Sequence, residues 1–190
     1  MTSTTWLAIL EELDGVNPLI RTTLNPPATD DQIKALEQRV GTPLPQAFID
    51  YLTTFNGQEI DDLLDNPICG ERHLLPVDQI ISSMDMMTSL FDPDDVAAGV
   101  ENKIRGLIWA PRWVPFASFQ QEDTLVLDLD PGKNGTLGQV FNYYPGYDWE
   151  SDDAIVSGSF AEFSDSLLDH LRQHRFTFDD GVLDFENYWI

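Results

Sequence analysis

The spacing of apolar residues changes near Trp109 in this chain of 190 residues. Before that point, apolar side chains recur at intervals of three and four residues, which is typical of helices that bury one face. After it they stand in short runs such as 113–117 and 124–129, bounded by turn-forming residues, which indicates strands. We therefore expect an α+β fold in which most helices precede the sheet.

The helical part carries clear start and stop signals. Thr29 is a suitable N-cap, and Gln32, three residues later, completes a capping box. Gly41 ends this helix, and Leu44-Pro45 opens the next one, which Asn56-Gly57 ends. A second capping box, Ser159 with Glu162, starts the last long helix. Further helices are predicted over 5–13 and 78–91, and another is predicted to start at Asp92 with Pro93 in its first turn.

The predicted strands form a plausible antiparallel pair. Segments 124–129 and 138–144 flank a turn-rich connection at 130–135. Shorter strands are expected over 74–77, 113–117 and 155–156, the last at a sheet edge. The tail from Phe176 to Ile190 alternates apolar and acidic residues and is predicted to form a hairpin or a flap. The polar, acidic stretch 58–72 is interpreted as a surface loop.

Composition and charge restrict the classes of function. The chain has 10 Lys+Arg against 33 Asp+Glu, a net charge of −23 and a pI near 4.1. Such a chain repels nucleic-acid phosphates and anionic lipid head groups, so neither is an expected ligand, whereas a basic protein is attracted. No apolar run is long enough for a membrane helix, and the N-terminal segment lacks the basic region of a signal peptide. We expect one cytoplasmic domain over 1–190.

Searches for a reactive or metal-binding constellation give no candidate. The single Cys69 is interpreted as a packing residue. Asp128, Asp130 and Gly135 suggest a calcium loop, but neither register supplies the required glycine and glutamate together. His170 and His174 are interpreted as solvated side chains and not as zinc ligands. We therefore predict no catalytic residue, no metal and no cofactor. An acid–base pair of carboxylates stays open as an alternative, but the spacing of the 33 acidic residues singles out no such pair.

Two acidic segments are the candidate partner-binding sites. Aromatic residues interleaved with acids resemble an interface centre surrounded by charge. A solvated loop or helix cap is the alternative interpretation of each acidic cluster. The candidate residues are Tyr144, Tyr147, Asp148, Trp149, Glu150, Asp152 and Asp153 in one segment and Asp92, Asp94 and Asp95 in the other.

Several motifs in order carry a resemblance to a known family. They are PPATDDQIKALEQRVGTPLPQAFIDYLTTFNG, LLPVDQIIS, WVPFA, LVLDLDPGKNGTLGQV and SGSFAEFSDSLLDHL. Together, over about residues 5–174, they resemble the SUKH superfamily, in particular its branch similar to the fungal Smi/Knr cell-wall regulators. No single motif is decisive, but the ordered set is specific. The acidic extension 175–190 lies beyond the resemblance.

The resemblance implies a fold and a kind of function. It implies helices packed around a central, mostly antiparallel sheet, and work without catalysis. Bacterial members are often immunity proteins that bind and block toxins, which would make the partner a toxin. The charge of this chain, and not the family, suggests that this partner is a basic toxin domain. Fungal relatives are scaffolds in cell-wall signalling, which leaves a regulatory role in envelope signalling as the alternative. Asp128 and Gln139, in the matching strand–turn–strand region, are expected to tie it together by hydrogen bonds. Trp109 and Trp113 are expected in the core.

Overall fold

A computed structural model describes residues 4–59, 66–92, 94–97, 102–119, 123–144, 154–186 and 190. Within these residues four of the five α-helices precede Trp109, and all strands except β1 follow it, which agrees with the predicted change of period. The helices are α1 (Thr4–Val16), α2 (Asp30–Val40), α3 (Gln46–Leu52), α4 (Val77–Leu90) and α5 (Phe160–Arg172), with a 3-10 helix at Pro18–Thr23. The strands are β1 (His73–Leu74), β2 (Trp113–Phe119), β3 (Asp123–Asp128), β4 (Val140–Tyr143), β5 (Ile155–Ser157), β6 (Phe176–Asp179) and β7 (Val182–Phe185).

Strands β1 to β5 form one antiparallel sheet in sequence order. The β3–β4 pair is the predicted antiparallel pair, with Val126 opposite Phe141. Short β5 lies at the sheet edge, as expected, and the register between β2 and β3 shifts between Pro115 and Ala117. Proline lacks an N–H for the ladder, which fits its place beside this irregularity. The α+β fold with a central antiparallel sheet is confirmed.

An aromatic cluster joins the helices to the sheet. Phe160 of α5 lies 4.8 Å from Phe48 of α3 and 5.2 Å from Phe116 of β2, measured between ring centroids. Trp6 of α1 packs 4.8 Å from the ring of Tyr51 in α3. All five rings are buried, so this cluster is the centre of the core, where each ring removes a large apolar area from water.

The helix caps confirm most of the local signals. The Thr29 hydroxyl accepts from the Gln32 N–H, and the Gln32 side chain accepts from the Thr29 N–H, which is the predicted capping box. Gly41 ends α2 in the left-handed conformation with φ 76°. At α5, the Ser159 hydroxyl accepts from the Glu162 N–H, but the Glu162 carboxylate accepts from Gly158 N–H and not from the N-cap itself.

The segment interpreted as a surface loop is largely buried where the structure describes it. Gln58 has no exposed surface, and its amide donates to the Thr23 hydroxyl and to the Asn66 carbonyl. Its carbonyl oxygen accepts from the N–H groups of Ile68 and Leu74. The Gln58 side chain thus supplies hydrogen-bond partners to backbone groups of Asn66, Ile68 and Leu74. The prediction of a surface loop was wrong here because a polar residue can be buried when its hydrogen bonds are satisfied.

The C-terminal strands form the predicted hairpin, a separate two-stranded sheet. Phe185 of β7 packs edge-on against His170 of α5, with ring centroids 6.0 Å apart. His170 is therefore buried, and its Nδ1 lies 2.8 Å from the Ser166 carbonyl oxygen. The interpretation of His170 as solvated was wrong because the hairpin covers that face of α5, whereas His174 is exposed. Among the described residues, no helix has the length and apolar character needed to cross a bilayer.

Candidate protein-binding site

The structure describes part of the predicted partner-binding set. Tyr144, Asp92, Asp94 and Asp95 lie within the described residues. The remaining candidates, Tyr147, Asp148, Trp149, Glu150, Asp152 and Asp153, lie outside them. The two described parts occupy different places in the chain, one directly after β4 and the other directly after α4.

Tyr144 belongs to a polar cluster at one end of the sheet. Its hydroxyl donates to Asp123 Oδ2 at 3.0 Å and accepts from Arg72 Nη2 at 2.9 Å. Arg72 also donates from Nε to Asp123 Oδ1 at 2.6 Å and from Nη2 to the Asn142 side-chain oxygen at 3.3 Å. Residues before β1, at the start of β3 and around the end of β4 are therefore tied together by one guanidinium.

Burial determines what this cluster can do. Arg72 is only 4% exposed, so its charge is compensated by Asp123 and not by water. Burial is the largest influence on Tyr144 and raises the pKa of its hydroxyl, and the nearby Arg72 charge opposes that shift. The Tyr144 ring is therefore held by a neutral hydroxyl at a fixed position where the chain leaves β4. Preorganisation of this kind lowers the entropic cost of any contact that the ring makes.

The second described part is a turn and not a helix start. The Asp95 N–H donates to the Asp92 carbonyl oxygen at 3.0 Å, and the Asp95 carboxylate accepts from the Asp92 N–H at 2.8 Å. Val96 then forms a bridge with Leu107. The prediction of a helix beginning at Asp92 was wrong because this side-chain bond and the bridge favour a reversal of the chain.

The described surface carries carboxylates in excess of cations. Asp92 and Asp94 are exposed, and Asp95 is half-buried. None of these three pairs with a cation in the described part of the chain. The ion pairs found there are Arg21–Asp14, Lys34–Asp31, Arg39–Asp85, Arg72–Asp123, Arg105–Asp130 and Arg172–Glu12. Most of the few cations are thus already engaged with other carboxylates, and Asp92 and Asp94 face solvent.

Asp128 and Gln139 tie the strand–turn–strand together, as expected. The Gln139 amide donates to Asp128 Oδ2 at 2.8 Å and to the Lys103 carbonyl oxygen at 2.9 Å, and the Asp130 N–H donates to Asp128 Oδ1. Burial raises the pKa of Asp128 to about 6, against the lowering effect of these hydrogen bonds. The side chain has no exposed surface, and its hydrogen bonds connect the end of β3 to the turn that follows it.

The remaining sequence candidates lie in the core. Cys69 is buried, and burial raises the pKa of its thiol to about 12, so it is a packing residue and a poor nucleophile. Trp109 and Trp113 pack edge-on against each other with centroids 5.7 Å apart. Within the described residues, no group of three His, Cys, Asp or Glu side chains is arranged to hold a metal ion.

Comparison with models of known protein families identifies the family of this chain. The family model described as SMI1/KNR4 family (SUKH-1) matches residues 27–166. The chain belongs to this family. The SUKH-1 match covers α2 to β5, including the Arg72 cluster and the Asp92 turn, and ends within α5. It is narrower than the resemblance over about residues 5–174, because α1, the 3-10 helix and the second half of α5 lie outside it, and the C-terminal hairpin lies beyond both. A search of curated proteins finds no match to the sequence.

Sequence reasoning missed the Arg72 cluster. Arg72 and Asp123 are 51 positions apart, and Arg72 lies in the segment interpreted as a loop. The composition gave one indication of an ion pair at Arg72. With 10 basic and 33 acidic residues, an arginine between apolar segments is expected to pair with a carboxylate. Nothing in the spacing of residues indicates which of the carboxylates it would select.

Proposed function

We propose that this protein is an immunity protein that binds and neutralises a cognate bacterial toxin, without catalysis of its own. The observation that carries the proposal is membership of SUKH-1, a family known broadly for toxin-immunity roles. The fold contributes an antiparallel sheet, Tyr144 held at one end of it by hydrogen bonds, and solvent-facing acids at Asp92 and Asp94. These features suit contact with another protein better than catalysis of a reaction.

Charge supports a basic toxin as the partner. The net charge is −23, and most described cations are already paired. A long-range negative field accelerates encounter with a positively charged protein and disfavours nucleic acid and anionic membranes. A toxin acting on cytoplasmic targets would place the immunity protein in the cytoplasm, which is our proposal for its location.

The proposal is tested in the native host. We expect a toxin gene beside the gene for this protein, and we expect deletion of the immunity gene to kill cells only while that toxin gene is intact. The purified pair should form a complex whose affinity falls when salt is raised from about 50 to about 500 mM, because charge attraction is screened. Cells that survive the deletion with an active toxin gene would overturn the proposal.

A regulatory scaffold in envelope signalling is the second candidate, favoured by the name of the matching family model, SMI1/KNR4. The same deletion separates the two functions. A scaffold predicts altered cell shape or envelope stress whether or not the toxin gene is present, and an immunity protein predicts a phenotype only when the toxin is made. Turnover of a small molecule by the purified protein, abolished by replacing one Asp or Glu, would contradict both.

A further inference from the structure

Large apolar side chains are exposed where the chain leaves α4. Leu90 is 63% exposed and Val96 is 72% exposed, and Met86 is 38% exposed one helical turn before Leu90. Residues at i and i+4 are neighbours on a helix surface, so Met86 and Leu90 form one apolar strip. This strip is on the solvent side, because Ile80 and Met84 form the buried face of α4.

Val96 follows Leu90 by six positions, across the Asp92–Asp95 turn. Phe91, directly after Leu90, is half-buried against the core, and its N–H donates to the Met87 carbonyl oxygen. The Asp92–Asp95 turn reverses the chain, and Val96 is then held by its bridge with Leu107. Both ends of the reversal are therefore anchored, and the exposed side chains lie on a defined surface. We call Met86, Leu90, Val96, Asp92, Asp94 and Asp95 the α4 exit surface.

The charge of this surface defines the chemistry of its partner. Asp92, Asp94 and Asp95 have no cation partner in the described part of the chain. The nearby cations Arg39 and Arg105 are engaged with Asp85 and Asp130, each at 2.5 Å. A second copy of this chain would bring a net charge of −23 against the same acids, which disfavours self-association. A cationic segment with apolar residues on one side complements both features.

We propose that the α4 exit surface is a docking site for a cationic amphipathic segment of a protein partner. Apolar side chains of that segment would cover Leu90, Val96 and Met86, and its Lys or Arg side chains would pair with the three carboxylates around them. Apolar contacts supply most of the affinity in such an interface, and the charges set the orientation and the encounter rate. This inference rests on the proposed function, and it assigns the α4 exit surface as the part of the protein that contacts the toxin.

A peptide probe tests the surface directly on the full chain. The probe is a Leu/Lys peptide of roughly 18 residues, about five helical turns, with leucines on one face. The control peptide has serine in place of every leucine and the same charge. In amide NMR spectra, the Leu/Lys peptide should shift resonances of residues 86–92, 94–97 and 105–108, and the control should bind much more weakly. Shifts centred elsewhere, equal binding of both peptides, or no binding would overturn the proposal.

Matched variants separate this surface from general charge attraction. Leu90→Ser with Val96→Ser should weaken binding of the Leu/Lys peptide by at least about tenfold, because the apolar centre is lost. Leu137→Ser removes an equally exposed leucine, 67% exposed, from the turn near Pro45 and should change affinity by less than about twofold. Equal losses in both variants would overturn the assignment. Circular dichroism and thermal unfolding verify that each variant is folded.

Protection of the host distinguishes failure of this inference from failure of the proposed function. If the Leu90→Ser, Val96→Ser variant protects cells against the neighbouring toxin as well as the unaltered protein does, the docking site is wrong and immunity stands. If the unaltered protein gives no protection, the proposed function fails. A variant that folds, loses the peptide and loses protection supports both.

Discussion

The Arg72 guanidinium donates to the Asp123 carboxylate at 2.6 Å, although 51 positions separate the two residues. The arginine side chain is almost fully buried, and the aspartate side chain is about one-fifth exposed (21%). This pair joins the segment before β1 to the start of β3. The paired charges are therefore part of what fixes the end of the sheet and the position of Tyr144.

Replacing Arg72 should destabilise the fold strongly. In Arg72→Met the volume is largely kept, but Asp123 and the Tyr144 hydroxyl lose their charged partner. Leaving a mostly buried charge uncompensated typically costs about 3–5 kcal/mol, which is the expected fall in the free energy of unfolding. Urea denaturation followed by tryptophan fluorescence measures it.

Arg172→Met is the matched control, because Arg172 and Glu12 form an exposed pair at 3.2 Å. Screening by solvent limits such a pair to less than about 1 kcal/mol. Equal losses in the two variants would mean that burial of Arg72 does not govern the energy of its pair.

Asp128 should make stability depend on pH in a defined direction. Its pKa is about 6 in the folded protein against an ordinary 3.8, so the folded state keeps a proton that the unfolded state releases. The contribution of Asp128 to stability is greatest below about pH 4 and is lost as pH rises to about 6. A shift of this size corresponds to about 3 kcal/mol.

Comparison with Asp128→Asn isolates that contribution from those of the other carboxylates. The free energy of unfolding of the variant minus that of the unaltered protein should rise by about 2 kcal/mol between pH 4.5 and 7, because about a third of the full effect falls below pH 4.5. Any constant offset from altered hydrogen bonding to Gln139 cancels in this slope. A difference that stays flat with pH would show that Asp128 has an ordinary pKa.

Gly57 should tolerate alanine less well than Gly41. Both have positive φ, 66° and 76°, so alanine is strained at either position by about 1–2 kcal/mol. A Cβ at Gly57 would also collide with the backbone of Leu75 and Pro76, whereas a Cβ at Gly41 meets open space. Gly57→Ala should therefore cost about 1–3 kcal/mol more than Gly41→Ala in thermal unfolding. Similar losses would indicate that the chain at Leu75 moves away freely.

Trp6→Ala should remove a central part of the core. Trp6 contacts the rings of Tyr51, Phe55 and Phe160, and a buried tryptophan truncated to alanine costs about 3–5 kcal/mol. Leu7→Ala, at the exposed neighbouring position, should cost less than about 0.5 kcal/mol. Calorimetry of the two variants gives the comparison, and a small loss for Trp6→Ala would place the centre of the core elsewhere.

Local signals in the sequence were reliable where the physics is local. The Thr29–Gln32 capping box, the Gly41 stop and the antiparallel β3–β4 pair depend on residues near one another, and all three are confirmed. The bond between Gln139 and Asp128 crosses only one turn and was also predicted.

Long-range partners were beyond the reach of the sequence. Burial of Gln58 and His170 depends on Leu74 and on the distant hairpin, so polarity was taken as exposure and both interpretations were wrong. The Asp92 turn has the residues of a helix start, but Leu107 holds the chain in another path. Partner binding by Tyr144 and the acids remains a prediction.

The hairpin of β6 and β7 pairs with no other strand in the described part of the chain, so each of its strands has an open edge. Open edges invite a further strand from another molecule, and carboxylates on them oppose this. Thr177 and Asp184 face each other on the outer side, with Asp179 beside them. The charge of these acids opposes edge-to-edge pairing between two copies of the hairpin, so the acidity of this protein also guards it against its own aggregation.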